Sequence, residues 1–292
     1  MTFLMELEQM SYPEALRWIA KKYNIEIPEE RPQTPEEIAA GNLKEGVYLI
    51  SDVAAKWYAE QLHETDQGKA IGLSYFKERG FTDETIEKFQ LGYSINDWNS
   101  FARLAVKSGY QEEFLEKTGL CFRNDKGNLI DRFRGRVMFP IHNLSGRVIG
   151  FGGRILKKDE KTAKYLNSPE TEVFEKGKHL YGLDKAVNAI RKDDRAVVVE
   201  GYFDVIALHA AGINNAVAAL GTALSSQQIT QICRCCDGKR LILNFDTDRA
   251  GVRAAQRAIG EVEQLALQGQ LELRVLHTPS GKDPDEYLKD HG

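Results

Sequence analysis

Six carboxylates stand where short apolar runs stop. The run over residues 196–199, AVVV, ends at Glu200, and Asp204 follows one turn into a helical pattern that continues through about Ala211. A second run, 216–220, ends at Gly221. A third, 241–245, ends at Asp246-Thr247-Asp248, and a fourth, 271–277, leads into PSGKDPD with Asp283 and Asp285. One explanation is that each acid caps or charges a helix N-terminus, where exposed N–H groups and the macrodipole favour it. Together, however, clustered carboxylates repel one another unless a cation neutralises them. All-oxygen donors suit magnesium or manganese, and one or two such ions beside a phosphate serve phosphoryl transfer.

The elements that position these acids follow from the pattern. Short apolar runs alternating with helix-length segments predict a parallel sheet buried on both faces, with right-handed crossovers. In such a sheet the loops leaving the carboxyl ends of the strands form the ligand-binding edge, so acids distant in sequence converge on one rim.

The charge is segregated along the chain. The net value is −4 over 292 residues, yet residues 122–164 hold eleven Lys or Arg against four Asp or Glu, a local +7. From residue 196 onward nine bases face twelve acids, a net −3. A basic lobe beside an acidic rim suits a phosphate polymer led to a metal site. Within the basic part, residues 136–141 and 147–151 read as a hairpin around a turn at 142–146. Arg132, Arg134 and Arg136 alternate with apolar residues and so project from one face of an extended chain. Gly150, Gly152 and Gly153 would let the backbone approach a nucleic acid closely.

Helical patterns fill residues 38–62 and 69–79, the latter stopping at Gly80, and Thr82-Asp83-Glu84-Thr85 restarts a helix with a capping signature. Arg79, just before the loop glycine, is free to reach outward. Residues 1–30 read as a helix and a half, and 28–35 as a polar, proline-rich linker. No run approaches the roughly 18 apolar residues of a membrane span, and no leader pattern opens the chain, which points to the cytoplasm. Cys121, Cys233, Cys235 and Cys236 lack paired C-x2-C spacing and are expected as reduced thiols rather than a zinc site. His142, His179, His209 and His277 show no ligand spacing and read as structural. Lys157, Lys158 and Lys161 form a solvated charged loop.

Three motifs in order, E-G-Y-x-D-V at Glu200, D-x-D-x-A-G at Asp246 and D-P-D at Asp283, resemble the Toprim domain shared by DnaG-type primases, topoisomerases, recombination proteins and some nucleases. The stretch D-R-F-R-x-R-V-M-F-P-I through G-R-V-I-G-F-G-G-R to K-Y-L-N-S-P-E-T-x-x-F-x-K-G resembles the RNA-polymerase basic motif of DnaG-type primases, which the other Toprim families lack. The resemblance implies an α/β fold in two lobes. Residues 1–40 are the tail of an upstream zinc-binding domain and a linker, 41–184 a mixed α/β basic lobe, and 185–292 the Toprim catalytic domain. It implies a primase core that copies single-stranded DNA into short RNA primers from ribonucleoside triphosphates, with two or more magnesium or manganese ions and no zinc in this chain. Helicase and single-strand binding protein would be met through regions outside it.

In that scheme Glu200, Asp204, Asp246 and Asp248 are catalytic, and Glu200, Asp246, Asp248, Asp283 and Asp285 hold metal, with Glu200 either base or ligand. Arg79, Arg132, Arg134, Arg154, Lys164, Asn167 and Lys176 bind nucleotide or DNA. The alternatives are a Toprim nuclease or recombination protein acting on DNA, and a non-enzymatic nucleic-acid module whose acids only cap helices.

Overall fold

The computed structural model describes residues 20, 22–23, 35–157, 162–221, 223–246, 249–278 and 283–291. Two compact units divide the chain, Met1–Asn42 and Leu43–Gly292. In the first, Ala20 is helical and buried. The rest of the expected helix and the linker up to residue 34 lies outside the described residues, apart from Lys22 and Tyr23.

A long helix, α1 (Pro35–Glu64), begins with proline in its first turn, where a missing N–H costs nothing. Its residues Val47, Ile50, Ala54, Trp57, Tyr58 and Leu62 are buried at helical spacing, the stripe expected of a helix with one face on a core. The segment expected as one helix over 69–79 is a π-helical turn, Gly68–Leu73, followed by α2 (Ser74–Glu78). That turn packs closely at Gly72, where a Cβ would press to 2.8 Å from Leu62 and 3.0 Å from Tyr93. Helix α3 (Asp83–Lys88) starts where the sequence signals it, the Thr82 hydroxyl accepting from Thr85 N at 3.2 Å.

The next elements are β1 (Gly92–Ser94), α4 (Ser100–Lys107), α5 (Glu112–Lys117) and the β2–β3 hairpin (Cys121–Arg123, Leu129–Asp131). Then β4 (Arg136–His142), β5 (Val148–Ile155) and β6 (Tyr165–Asn167) complete an antiparallel sheet of order β1-β4-β5-β6. The period-two alternation of β4 sends Val137, Phe139 and Ile141 into one core cluster and Met138 into another beneath α1 and α4, so both faces are buried.

The second sheet is wholly parallel. After α6 (Leu183–Asp193) come β7 (Ala196–Val199), α7 (Tyr202–Ala210), β8 (Ala216–Ala218), α8 (Ser226–Cys235), β9 (Arg240–Leu243), α9 (Arg249–Leu267), β10 (Glu272–Val275) and α10 (Pro284–His291). The strand order is β10-β9-β7-β8, with α6, α8 and α9 packed on one face. On the other lies α7, buried from Tyr202 through His209, its apolar run interrupted by Asp204 and His209. This helix is the layer between the two sheets: Phe139 of β4 stacks on Tyr202 with ring centroids 4.7 Å apart and lies edge-on to Phe203.

One core cluster therefore joins Phe76, Phe89 and Phe139 to Val199, Val205 and Ala218. The two sheets are parts of one packed body, and the polar residues around α7 are held in fixed relation. The four cysteines are free thiols. Among the described residues no helix is long and apolar enough to cross a membrane.

Candidate active site

The carboxyl edge of the parallel sheet gathers the acids, and the chain ties them with backbone bonds. Glu200 directly follows β7, and its Oε1 accepts from Asp246 N at 2.9 Å, linking two strand-end loops. Gly251, in the first turn of α9, is enforced by this link: a Cβ there would sit 2.6 Å from Glu200 Oε1 and collide with the Asp246 carbonyl. Asp204, the third residue of α7, is 7% exposed. Its Oδ2 accepts from Gly201 N at 3.0 Å and its Oδ1 from Asp285 N at 3.4 Å. Asp283 Oδ1 accepts from Glu286 N at 2.6 Å at the start of α10.

Capping thus accounts for part of what Asp204 and Asp283 do, but not for the convergence. Burial first, and then the charges of Asp283, Asp246 and Asp285, push the Asp204 carboxyl well above the usual range. Asp285 is raised by burial, an effect that Arg79 opposes. Asp248 lies outside the described residues. Among the described residues, no three His, Cys, Asp or Glu side chains stand as a ready-made metal group. The donors are nonetheless all carboxylate oxygens whose mutual repulsion a hard divalent cation would relieve.

Beside the acids stand Tyr75, Arg79 and Arg154 of the preceding lobe. Arg79, expected to reach outward, instead pairs with Asp285 while its Nε donates to Tyr75 Oη at 2.8 Å. Its guanidinium lies 4.1 Å from the Phe203 ring centre. The cause is tertiary: α7 and α10 pack together and bring an acid from the far end of the chain to it. Arg154 shares the same rings, 5.0 Å from Tyr75 and 5.5 Å from Phe203, and its buried Nε has no hydrogen-bond partner among the described residues.

Asn167 bridges the lobes, accepting from Tyr202 Oη at 2.8 Å and donating from Nδ2 to the Leu220 carbonyl at 2.9 Å. Lys164 is exposed, its Nζ 5.8 Å from the Tyr165 ring. Lys176 sits in a short 3-10 turn, its carbonyl accepting from Gln228 Nε2 at 2.9 Å. That bond fastens it to the start of α8.

The other arginines part from the expected pattern. Residues 132–135 are not a strand; Gly135, at φ +60°, bends the chain before β4 begins. Arg136 turns inward, 4% exposed, and donates to the carbonyls of Gly153 at 3.1 Å and Ala163 at 3.0 Å. Arg132 donates to the Gly119 carbonyl at 2.7 Å, and Arg134 stacks 3.6 Å from the Trp98 ring centre, its buried Nη1 without a hydrogen-bond partner among the described residues. All three still line one cavity of about 370 Å3 with Lys157. The glycines serve packing instead of a nucleic-acid backbone: a Cβ on Gly152 would meet Tyr202 Oη at 2.5 Å, and one on Gly153 would meet Phe133 at 2.8 Å.

Trp98 escaped the sequence reading. It is 64% exposed although its carbonyl accepts from Asp131 N at 2.7 Å, so the backbone is fixed and the ring presented. The neighbouring cap explains this. Asp131 accepts from Phe101 N and Ala102 N, both at 2.9 Å, and takes over the N-terminus of α4 from Asn99. Nothing local in the sequence around Trp98 signals this, because both its exposure and its contact with Arg134 depend on the segment that carries Asp131.

A family model described as "DNA primase catalytic core, N-terminal domain" matches residues 57–187, and one described as "Toprim-like" matches residues 197–288. A DNA primase of Synechococcus elongatus is 50% identical over 99% of this chain and 42% of its own length. The chain spans under half the length of the curated relatives it matches, 42% to 48% in these cases. Among solved structures, a DNA primase domain from Pseudomonas aeruginosa is 42% identical, with a TM-score of 0.76 over 84% of this chain and 75% of that one. A DnaG primase catalytic domain bound to ssDNA is 37% identical, with a TM-score of 0.76 over 86% of this chain and 79% of that one. With both motif regions matched in tandem on a shared fold, the chain belongs to the DnaG-type DNA primase catalytic core family.

Proposed function

We propose that this chain is a DNA-directed RNA polymerase of the nucleotidyltransferase type, copying single-stranded DNA into short RNA primers from ribonucleoside triphosphates. The observation that carries the reading is the meeting of Arg79, Arg154 and Asn167 with Asp204 and Asp285 around α7, in one packed body. A triphosphate needs cations along its phosphates and carboxylate-held metal at its reacting end, and this arrangement offers cations and carboxylates that would serve those two ends. Residues 41–184 would supply the cationic side and residues 185–292 the acidic side.

Glu200, Asp246, Asp248, Asp283 and Asp285 would hold magnesium or manganese, which when bound supply charge neutralisation of the phosphates and acidification of the attacking 3′-hydroxyl. Asp204, through Gly201 N and Asp285 N, holds two acid-bearing loops in register. Arg154, Lys164 and Lys176 neutralise the triphosphate, Arg79 exchanging Asp285 for phosphate as nucleotide enters. Asn167, fixed by Tyr202 and Leu220, contacts the nucleotide's sugar or base. Glu200 either accepts the proton of the 3′-hydroxyl or serves as a metal ligand.

The template is expected to run over Trp98, Arg132 and Arg134, where an exposed ring can stack on an unpaired base and a guanidinium can hold its phosphate. The relative solved with ssDNA supports this choice of partner.

Calorimetry with a ribonucleoside triphosphate and manganese tests the reading. Binding should weaken at least tenfold in Lys164→Ala and in Asp246→Asn taken singly. A chain that ignores nucleotide yet cuts DNA with metal would instead be a Toprim nuclease.

A further inference from the structure

Beside Glu200, on the face of the parallel sheet opposite α7, lies a cleft of about 560 Å3 that the site described above does not use. Ala223, Leu224, Phe245 and Ala254 give it apolar walls, Val199 and Glu200 border it at the end of β7, and Arg257 of α9 lines it while remaining solvent-exposed. Arg257 is the last of three. Arg249, Arg253 and Arg257 recur at intervals of four, which places them along one side of α9 at about 6 Å of rise each. All three are exposed, and none forms an ion pair with a carboxylate among the described residues. Like charges four apart on a helix destabilise it slightly, and apart from Arg253 Nε, which donates to the Arg249 carbonyl at 2.9 Å, no hydrogen bond or ion pair engages these guanidinium groups among the described residues.

In-line phosphoryl transfer decides what this face can hold. The attacking and leaving oxygens stand on opposite sides of the reacting phosphorus. If the incoming triphosphate directs its leaving pyrophosphate toward Arg79, Arg154 and Lys164, the attacking 3′-hydroxyl must approach from the other side of Glu200. That side is the cleft. Its apolar walls suit a nucleobase and ribose, and the row on α9 suits the 5′ phosphates that trail from them.

We propose that the cleft and the Arg249–Arg253–Arg257 row bind the strand that carries the attacking 3′-hydroxyl: the initiating ribonucleotide first, and the growing RNA afterwards. The proposal rests on the polymerase reading given above. Both occupants present 5′ phosphates behind a ribose, so a mononucleotide and an oligonucleotide distinguish them.

The test uses the whole chain with manganese and three probes: a 5′-phosphorylated RNA trinucleotide, a ribonucleoside 5′-monophosphate and a single-stranded DNA 15-mer. Arg253→Ala with Arg257→Ala should weaken the trinucleotide at least tenfold and reduce its salt slope by about 1.4, two phosphate contacts' worth. The same variant should hold the DNA 15-mer and ribonucleoside triphosphate within about twofold of the unaltered chain. Ala254→Leu, which narrows the cleft, should weaken the monophosphate as well as the trinucleotide, and Arg257→Lys should restore part of the trinucleotide affinity.

Unchanged trinucleotide binding in the arginine variant would overturn the proposal, as would an equal loss for the DNA 15-mer, which would mean the row tracks template. Failure of the unaltered chain to bind any triphosphate would count against the polymerase reading. The RNA-binding result would stand or fall separately.

Discussion

Gly152→Ala should destabilise the protein through Tyr202, and the structure sets the size of the effect. A methyl group built on Gly152 falls 2.5 Å from Tyr202 Oη and 2.7 Å from Cε2. Ordinary contact needs about 3.5–4.0 Å, so the ring must shift by roughly 1 Å. It has nowhere to go: Phe139 stacks on it at 4.7 Å, Tyr181 meets it edge-on at 4.7 Å, and its hydroxyl is bonded to Asn167.

Overpacking of this kind costs about 1–3 kcal/mol, here at the upper end because both flanking rings are buried. At about 2–4 °C per kcal/mol for a chain approaching this size, the melting temperature should fall by roughly 6–12 °C. Tyr202→Ala alone should cost about 3–5 kcal/mol through the cavity it leaves. It also makes room for the methyl group, so the double variant should be more stable than the two penalties added together predict, by at least about 1.5 kcal/mol. Denaturant unfolding of the four proteins measures this. Additive penalties, or a Gly152→Ala protein that keeps its melting temperature and loses only DNA affinity, would refute the packing account of this glycine.

Three further outcomes are expected. Manganese should raise the melting temperature by mass action on the folded state, and Asp246→Asn with Asp248→Asn should abolish the rise; a full shift in the double variant would move the metal elsewhere. Trp98→Ala should weaken single-stranded DNA by about 1–3 kcal/mol, and Arg132→Ala with Arg134→Ala should flatten the salt slope by about 1.4, both read by anisotropy. Burial pushes the imidazoles of His142 and His209 down to about 4. The unfolded chain therefore takes up these protons first, and the stability they preserve is intact above about pH 6.5 and lost as pH falls toward 4, roughly 3 kcal/mol for His209. His209 donates from Nε2 to the Ala216 carbonyl at 3.0 Å as a neutral ring. In His209→Phe the slope of stability against pH between 6.5 and 4.5 should drop by up to one proton, and an identical slope in the variant would exclude His209 as a source.

Much of the fold was legible because its elements are locally determined. The four apolar runs became β7 to β10 at or within a few residues of their expected ends, and the acids that follow them reach one edge because a parallel sheet sends its carboxyl ends to one side. What could not be read depends on contacts between distant segments. Arg79 looked free because Asp285, 206 residues away, is what holds it. Arg136 belongs by alternation to the same face as Arg132 and Arg134, but the bend at Gly135 and the carbonyls of Gly153 and Ala163 draw it inside. The glycine-rich run suggested a ligand, since small residues signal close approach without saying of what. Tyr202 and Phe133 fill that role. Trp98 is presented only because Asp131, some thirty residues on, caps the helix that Asn99 begins.

The central claim is that one triphosphate is held between the two halves of the chain. A crystal of this chain soaked with a ribonucleoside triphosphate and manganese tests it most directly. The account predicts the α-phosphate and metal against Glu200, Asp246 and Asp248, with the remaining phosphates reaching Arg154 and Lys164 and the Arg79–Asp285 pair opened. A nucleotide bound to only one half, with that pair intact and no metal at the strand ends, would contradict it.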